Sequence, residues 1–329
     1  MEKFWKGKEV FITGASGFLG SWLTKTLVGK GANVTCLIRD LVPSSYLNLS
    51  GTIKQVNVVY GCLEDYSVIE RALNEYEIDS CFHLGAQAIV GAAVRFPMST
   101  FESNIKGTWN ILECVRQNRK VKRVVVASSD KAYGTKGKLP YKEDNCLQGM
   151  HPYDVSKSCT DLLAQSYYHT YGVPVAISRC GNFYGGGDLN SSRIVPGTIK
   201  SLILDQHPLI RSDGTYIRDY FYIEDVVDAY LSLGENVDRE EIVGQAFNFG
   251  TGQPITVLDL VKLIIRISGK HHLKPVILNE AKNEIKEQYL SSEKARNLLS
   301  WEPRFSLEEG LKRTYKWYEA FLEEKVKLK

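Results

Sequence analysis

The sequence predicts an α/β protein in which a doubly wound parallel sheet is followed by a smaller α+β lobe. Short β-branched runs alternate with longer helical patterns through the first 179 residues, which is typical of parallel strands joined by crossover helices. A glycine-rich turn separates the first of these strands from the first helix. The alternation stops after Arg179, where the glycine-rich polar stretch CGNFYGGGDLNSS begins, and shorter, mixed elements follow.

The elements of the first half follow one another at the spacing that crossover connections require. The predicted strands are 10–13, 33–38, 55–61, 80–85, 123–128 and 174–179, and the predicted helices are 18–29, 66–75, 100–118 and 153–171. We expect segments near 219–250 to return to the first domain as a helix and a strand. The chain is therefore divided into a first domain, 1–179, and a second lobe, 180–329.

Composition and charge exclude several classes of protein. The 329 residues are 43% hydrophobic and carry 41 Lys and Arg against 38 Asp and Glu, so nothing indicates a surface for nucleic acid. No apolar run reaches the roughly 18 residues of a membrane span, and the N-terminus has no apolar signal-peptide core. The seven cysteines are scattered without a C-x-x-C pair, which favours buried free thiols over disulfides or zinc. We expect a cytoplasmic protein without a metal, in which His83 is a hydrogen-bonded structural residue.

The glycine-rich turn reads TGASGFLG over residues 13–20, with its glycines three residues apart. Such glycines permit a tight turn and let the backbone approach a pyrophosphate, toward which the next helix points its positive N-terminal end. A purely structural strand–helix turn is the alternative. The pattern predicts a Rossmann domain that binds NAD or NADP through the residues Gly14, Ser16, Gly17, Phe18, Leu19 and Gly20.

The end of the second strand bears on the choice of cofactor. Ile38 ends this strand, Arg39 follows it, and the first carboxylate is Asp40. An arginine here accommodates the 2′-phosphate of NADP, whereas an acidic residue accepts hydrogen bonds from the ribose hydroxyls of NAD. The sequence therefore favours NADP, with NAD as the alternative, unless Arg39 is merely a surface residue.

A possible catalytic pair, Tyr153 and Lys157, lies at the start of a predicted helix in the pattern Y-x-x-x-K. Residues four apart share one face of a helix. A nearby ammonium favours the phenolate, and so we expect Lys157 to lower the pKa of Tyr153 toward that of a useful general base. Lys157 could also hydrogen-bond the nicotinamide ribose, and we therefore assign both residues to the cofactor site as well.

The stretch SSDKAYG, residues 128–134, places the carboxylate of Asp130 beside the amine of Lys131 at the end of the fifth strand. A solvated turn is one interpretation of this pair. The other is an acid and a base directed at one substrate, which requires that burial or neighbouring charges shift the pKa of each group.

Together these motifs resemble the extended short-chain dehydrogenase/reductases that act on nucleotide sugars. The similarity covers nearly the whole chain, through TGASGFLG, FHLGAQ, SNIKGTWNILE, SSDKAYG, YDVSK, RCGNFYGGGD, RDYFYIEDV, NFGTG and LLSWEPRFSLEEGL. In this family, 4-epimerases usually carry small, non-ionisable residues after the catalytic serine, whereas 4,6-dehydratases carry an acid–base pair there, commonly Asp-Glu and in some branches Asp-Lys. The chain thus resembles the dehydratases, and FWKGKEVFITGASGFLGSWL with GGGDLNSSRIVP is closest to the branch acting on CDP-glucose.

The resemblance implies a hydro-lyase that converts an NDP-hexose to an NDP-4-keto-6-deoxyhexose. C4 is oxidised, water is eliminated across C5 and C6, and the hydride returns to C6. Ser129 and Tyr153 would act on the C4 hydroxyl, Lys131 would take the C5 proton, and Asp130 would protonate the departing C6 hydroxyl. The alternatives are a 4-epimerase, which returns the hydride to the other face of C4, and a cofactor-binding protein without catalysis.

The resemblance also implies further contacts and an assembly. Arg218 occupies the position of a phosphate-binding arginine, while Arg193 and Asn182 could have loop roles or touch the ligand. The family's Gly-Asp after the third strand, an adenine contact, is Gly61-Cys62 here. Two helices, near 100–118 and 153–171, pair protomers as a four-helix bundle in the family, which implies a homodimer. The full set of expected substrate contacts is Gln87, Ser129, Asn182, Arg193 and Arg218, and the remaining cofactor contacts are Leu63 and Leu84.

Overall fold

A computed structural model describes residues 4–135, 138–280 and 285–327. Its strands are β1 (Glu9–Thr13), β2 (Asn33–Ile38), β3 (Asn57–Tyr60), β4 (Ser80–His83), β5 (Arg123–Ala127), β6 (Val175–Cys180), β7 (Asn182–Tyr184), β8 (Leu209–Ile210), β9 (Ile217–Tyr222), β10 (Ala246–Phe249), β11 (Pro254–Thr256), β12 (Val276–Ile277) and β13 (Glu287–Gln288).

The helices are α1 (Phe18–Gly29), α2 (Tyr46–Leu49), α3 (Tyr66–Glu75), α4 (Val90–Arg95), α5 (Pro97–Phe101), α6 (Gly107–Gln117), α7 (Pro152–Tyr171), α8 (Ile194–Ile203), α9 (Ile223–Asn236), α10 (Val257–Ser268), α11 (Glu293–Leu299) and α12 (Leu307–Lys327). A π-helical turn, Glu102–Lys106, joins α5 to α6. Two 3₁₀ turns lie at Thr52–Gln55 and Asp130–Tyr133.

The main sheet has seven parallel strands in the order β10-β6-β5-β4-β1-β2-β3. Both faces are covered, because Val10 and Ile12 of β1 pack into one hydrophobic cluster while Phe11 between them packs into another. Strands buried on both faces have continuous apolar sequences rather than alternating ones. This is why VFIT and RVVVA predict strands of a parallel sheet. The predicted fold class, a Rossmann-type doubly wound sheet with flanking helices, is confirmed.

Most predicted elements of the first half lie within a few residues of the observed ones. The predicted helix 100–118 differs, because the helical path starts at Pro97 and passes through a π-helical turn before α6. The predicted strand 55–61 is shorter, because residues 52–55 form a 3₁₀ turn. β10 is the seventh strand of the main sheet, with Ala246 paired to Ile177 of β6. The domain boundary at residue 179 stays a prediction.

The second lobe is built around β9, which pairs antiparallel with β11 and parallel with β13 and β7. The register places Gln288 of β13 opposite Arg218 of β9. Helices α8, α10 and α12 pack against one another beside this sheet. Within the described ranges, no helix is both long enough and apolar enough to span a bilayer.

Candidate active site

A cavity of about 970 Å³ lies at the carboxyl ends of the main strands, against the second lobe. In open parallel sheets this edge is where ligands bind. Seventeen of the predicted site residues line it: Gly14, Ser16, Gly17, Phe18, Leu19, Gly20, Arg39, Leu63, Leu84, Ser129, Asp130, Lys131, Tyr153, Lys157, Asn182, Arg193 and Arg218.

Gln87 is the exception among the predicted residues, since the cavity is lined by its neighbours Ala86 and Ala88 instead. The backbone N–H of Gln87 donates to Asn104 Oδ1 at 2.7 Å, and its side-chain Oε1 accepts from the N–H of Ile89 at 3.1 Å. The Gln87 side chain is thus hydrogen-bonded to the backbone of its own loop. The prediction that Gln87 contacts substrate has no support in this geometry.

The glycine-rich turn between β1 and α1 forms a cradle without side chains. Gly14 has φ +72°, and a Cβ there would lie 2.8 Å from the backbone nitrogen of Gly85. A Cβ on Gly20 would overlap the carbonyl oxygen of Gly14. Gly17 precedes the first turn of α1 and provides no side-chain cap, so the helix N-terminus is open toward the cavity. These residues fit the pyrophosphate of a dinucleotide.

The far end of the cradle carries both groups that discriminate between the two cofactors. Arg39 Nε donates to Asp40 Oδ2 at 2.6 Å, and both side chains are more than 60% exposed. Both residues line the cavity. A guanidinium suited to a 2′-phosphate and a carboxylate suited to ribose hydroxyls therefore lie side by side.

The turn after β5 carries the proposed acid and base. Ser129 Oγ accepts from the N–H of Lys131 at 3.2 Å and donates to Asp130 Oδ1 at 3.0 Å. Asp130 is 4% exposed, and its Oδ2 has no hydrogen-bond partner among the described residues. Leaving a buried polar atom unpaired costs about 1–3 kcal/mol. This oxygen is therefore suited to a ligand, which a solvated turn is not.

Lys131 is half-buried and reaches toward the second lobe, where its Nζ donates to Gln288 Oε1. Gln288 Nε2 in turn donates to the backbone oxygen of Asp130 at 2.8 Å. Because Asp130 and Lys131 both line the cavity, the structure disfavours the interpretation of SSDKAYG as a solvated turn.

The helical pair Tyr153 and Lys157 faces the same cavity from the first turns of α7. Burial raises the pKa of Tyr153 to about 12, although a hydrogen bond with Ser129 opposes the rise. The expected lowering by Lys157 is therefore wrong for the protein alone, since desolvation of the phenolate outweighs the neighbouring groups. Burial also lowers the pKa of Lys157 to about 8, and its Nζ donates to the backbone oxygen of Ala127 at 2.7 Å.

The predicted substrate contacts differ in whether their side chains already form hydrogen bonds within the protein. Arg218 is 7% exposed, and its Nη1 donates to the backbone oxygen of Lys286 at 3.0 Å. Arg193 Nη1 donates to Asp188 Oδ2 at 3.1 Å. Asn182 Nδ2 is buried without a hydrogen-bond partner in the described part of the chain. Asn182, like Asp130, thus presents an unpaired polar atom at the cavity.

His83 lies beneath the cradle, where its Nδ1 is 2.9 Å from Thr13 Oγ1 and its Nε2 is 3.1 Å from Thr108 Oγ1. Burial lowers its pKa to about 3, so the ring is neutral. Thr13 Oγ1 also accepts from the N–H of Gly85 at 3.0 Å. His83 therefore connects the ends of neighbouring strands, in agreement with the structural role expected for it.

This arrangement can be compared with known proteins. The sequence profile of the family described as GDP-mannose 4,6 dehydratase matches residues 11–314. CDP-glucose 4,6-dehydratase of Salmonella typhimurium is 30% identical to the chain, over 98% of the chain and 93% of the relative. The chain belongs to the nucleotide-sugar 4,6-dehydratase and epimerase family. Both kinds of enzyme in this family are therefore candidates.

Solved structures of the nucleotide-sugar 4,6-dehydratase and epimerase family include both kinds. UDP-glucose 4-epimerase of Thermotoga maritima, with UDP-glucose, superposes with a TM-score of 0.87 at 30% identity, over 95% of the chain and 99% of that structure. dTDP-glucose 4,6-dehydratase of Bacillus anthracis, in complex with NAD, superposes at 0.84 and 25% identity, over 96% and 98%. The fold is thus common to the two activities, and the distinction between them depends on side chains.

The sequence analysis did not identify Arg179, Asp161 and Gln288 as residues that support the site. Arg179 at the end of β6 donates from Nε and Nη2 to the two carboxylate oxygens of Asp161 on α7, at 2.7 and 2.9 Å. Both side chains are buried, and such bidentate pairs fix orientation. Asp161 stands four residues after Lys157, a spacing that could have revealed it. No sequence signal pointed to Gln288.

Proposed function

We propose that the protein is a nucleotide-sugar 4,6-dehydratase that converts an NDP-hexose to an NDP-4-keto-6-deoxyhexose. The observation that carries this proposal is the position of Asp130 and Lys131 in the cavity, on the same turn as Ser129 and facing Tyr153. Asp130 presents a buried carboxylate oxygen there that no described residue hydrogen-bonds. Elimination of water needs such an acid and base, whereas a 4-epimerase needs neither.

The proposed mechanism assigns one proton movement to each group. A nicotinamide dinucleotide, held by the glycine turn between β1 and α1 and by Tyr153 and Lys157, would supply the hydride acceptor and donor for this chemistry. Tyr153, assisted by Ser129, takes the proton of the C4 hydroxyl as C4 becomes a ketone. The ketone acidifies the C5 proton, which Lys131 removes. Asp130 protonates the C6 hydroxyl, which leaves as water, and Lys131 finally returns a proton to C5.

Other residues of the cavity would bind and orient the substrate. Arg218 and Arg193 both line the cavity and would supply positive charge for the diphosphate of a sugar nucleotide. Asn182 would offer the same ligand its Nδ2, which has no hydrogen-bond partner within the described ranges. Binding energy from the diphosphate, remote from the reacting carbons, would hold the hexose against Tyr153 and Lys131.

A 4-epimerase is the second candidate, because the Thermotoga maritima 4-epimerase superposes on the chain with a TM-score of 0.87. In that case Ser129 and Tyr153 would act as proposed. Asp130 and Lys131 would then hold the turn after β5 and would not exchange protons with the sugar.

Mass spectrometry distinguishes the two functions. The protein is incubated with CDP-, GDP-, UDP- and dTDP-hexoses together with NAD or NADP. A dehydratase removes the mass of one water from one of these substrates, which also identifies the base. An unchanged mass with a new retention time indicates epimerisation and contradicts the proposal. No change with any substrate, together with cofactor binding, indicates a binding protein without catalysis.

We also propose that NADP is the preferred cofactor, because Arg39 follows β2 directly and its guanidinium is exposed at the cavity. Replacing Arg39 with alanine is expected to weaken NADP binding by about 10- to 100-fold, the worth of a hydrogen bond to a charged group. NAD binding should change little. Titration of both cofactors by calorimetry checks this, with Arg71→Ala, an exposed ion-paired arginine on α3, as the control. Equal losses for both cofactors, or a preference for NAD in the unaltered protein, contradict the assignment.

We further propose that the protein is a homodimer formed through α6 and α7. These helices lie side by side, since Thr108 Oγ1 is 3.2 Å from Thr160 Oγ1. Next to this contact, Trp109 is 42% exposed and Leu162 is 55% exposed. Apolar side chains exposed on neighbouring helices are suited to a second copy of the same surface.

The dimer can be tested with the double variant Trp109→Glu and Leu162→Glu. Burying two carboxylates in an apolar interface is costly, so the mass measured by light scattering should fall from twice 37.1 kDa to 37.1 kDa. Leu49→Glu, which changes an exposed leucine on α2, should leave the dimer intact. A double variant that keeps the mass of the dimer places the interface elsewhere.

A further inference from the structure

Gln288 joins the second lobe to the turn that carries the proposed acid and base. The residue belongs to β13 and is 1% exposed. Its Nε2 donates to the backbone oxygen of Asp130 at 2.8 Å, and its Oε1 accepts from Lys131 Nζ. One amide thus contacts two consecutive residues of the turn. We propose that Gln288 is a positioning residue for water elimination, which directs the Lys131 amine toward the sugar; this inference rests on the proposed function.

The orientation of the Gln288 amide follows from its partners. A backbone carbonyl can only accept, and so Nε2 must face Asp130. A lysine amine donates in either protonation state, and so Oε1 faces Lys131. The bond to the Asp130 carbonyl anchors the amide, while the bond to Lys131 restrains a side chain with four rotatable bonds. Fixing such a side chain in advance lowers the entropy lost when the reaction begins.

An amide also differs from a carboxylate in its effect on the charge of Lys131. As a base, Lys131 must be neutral when it meets the C5 proton. Asp154 on α7 lies within electrostatic range of both Lys131 and His151, and Asp130 precedes Lys131 on the same turn. Nearby negative charge favours the ammonium. Gln288 restrains the amine without adding a further negative charge.

The pairing of β13 with β9 also connects Gln288 to Arg218, the residue proposed to bind the substrate diphosphate. Gln288 of β13 is paired with Arg218 of β9. The Arg218 guanidinium donates to the backbone oxygens of Ile285 and Lys286, just before β13. Arg218 and Lys131 both line the cavity. The residue proposed for the diphosphate and the residue that positions the base are therefore held by one pair of strands.

Two variants of the holoenzyme test this inference. Gln288→Met keeps the length of the side chain and removes both hydrogen bonds. Elimination, followed as loss of water by mass spectrometry, should slow about 10- to 100-fold, as expected for unpairing groups in a buried site. Oxidation of C4, followed by nicotinamide absorbance in a single turnover, should change by less than about threefold, because it depends on Tyr153.

The variant Gln288→Glu provides a second test, which concerns the protonation of Lys131. A carboxylate beside Lys131 favours the ammonium and therefore raises the pKa of the lysine. The rate of elimination increases with pH as Lys131 loses its proton, so this rising limb should move to higher pH in the variant. The pH dependence of C4 oxidation should not move. This shift identifies Lys131 as the titrating base beside residue 288, whereas the selective loss of elimination in Gln288→Met tests the positioning role of the glutamine itself.

The outcomes separate the inference from the function on which it rests. If the unaltered protein removes no water from any sugar nucleotide, the proposed function fails and the inference fails with it. If it removes water, but both variants slow oxidation and elimination equally with an unmoved pH profile, the inference alone is overturned. Thermal unfolding controls for stability, and Gln288→Asn, which keeps a shorter amide, replaces Gln288→Met if that variant does not fold.

Discussion

Replacing Tyr153 with phenylalanine is expected to lower turnover by about 10²- to 10⁴-fold, the usual contribution of a general acid or base. The effect should appear with a dehydratase and with a 4-epimerase, since both begin by oxidising C4. Phenylalanine keeps the ring that fills the cavity wall but cannot take the proton of the C4 hydroxyl. The loss should fall on C4 oxidation, measured by nicotinamide absorbance in a single turnover, while substrate affinity changes little.

Tyr171→Phe is the matched control for this experiment. Tyr171 ends the same helix, α7, is 57% exposed and is not among the residues that line the cavity, so turnover should be unchanged. If Tyr153→Phe retains turnover within about threefold of the unaltered protein, another group accepts the C4 proton. Tyr153 would then be a packing residue, and both enzymatic interpretations would lose their first step.

The large parallel sheet was predictable because its determinants are local. A strand buried on both faces must be apolar along its length, and each crossover needs a helix of sufficient length. VFIT followed by a glycine turn therefore identified β1 and α1. The second lobe was less predictable, because β8, β12 and β13 have two residues each. Strands this short carry no periodic pattern, and their pairing depends on the surrounding structure.

The site divides in the same way between local motifs and distant contacts. Tyr153 and Lys157 lie four residues apart, and Ser129 to Lys131 are consecutive, so chain geometry alone brought each set together. Gln288 lies 158 residues from Asp130 in the sequence, and only the packing of β13 against the turn after β5 brings the two together. No short pattern records such a contact.

The pKa of Tyr153 shows a second limit of sequence reasoning. From neighbours alone, an ammonium four residues away predicts a lowered pKa. Burial depends on every element packed around the phenol, and here it raises the pKa to about 12. The sequence identified which groups meet, but the balance between desolvation and neighbouring charge required the folded structure.

The second large effect is expected for Lys131→Ala. Removing the proposed C5 base should slow the elimination of water by about 10²- to 10⁴-fold. Oxidation of C4 should persist, because Ser129, Tyr153 and Lys157 are untouched. In deuterated water, the unaltered protein should exchange the C5 proton of its substrate for deuterium, and the variant should not. Mass spectrometry measures both the loss of water and the exchange.

The matched control is Lys142→Ala, which removes an exposed lysine paired with Glu293 outside the cavity. If Lys131→Ala removes water at a rate within about threefold of the unaltered protein, Lys131 is not the base. If it slows C4 oxidation and elimination equally, Lys131 acts in binding or folding. The comparison with Tyr153→Phe is therefore decisive: loss at C4 in one variant and at C5 in the other requires two separate proton acceptors in one cavity. A dehydratase uses both, whereas a 4-epimerase uses only the first.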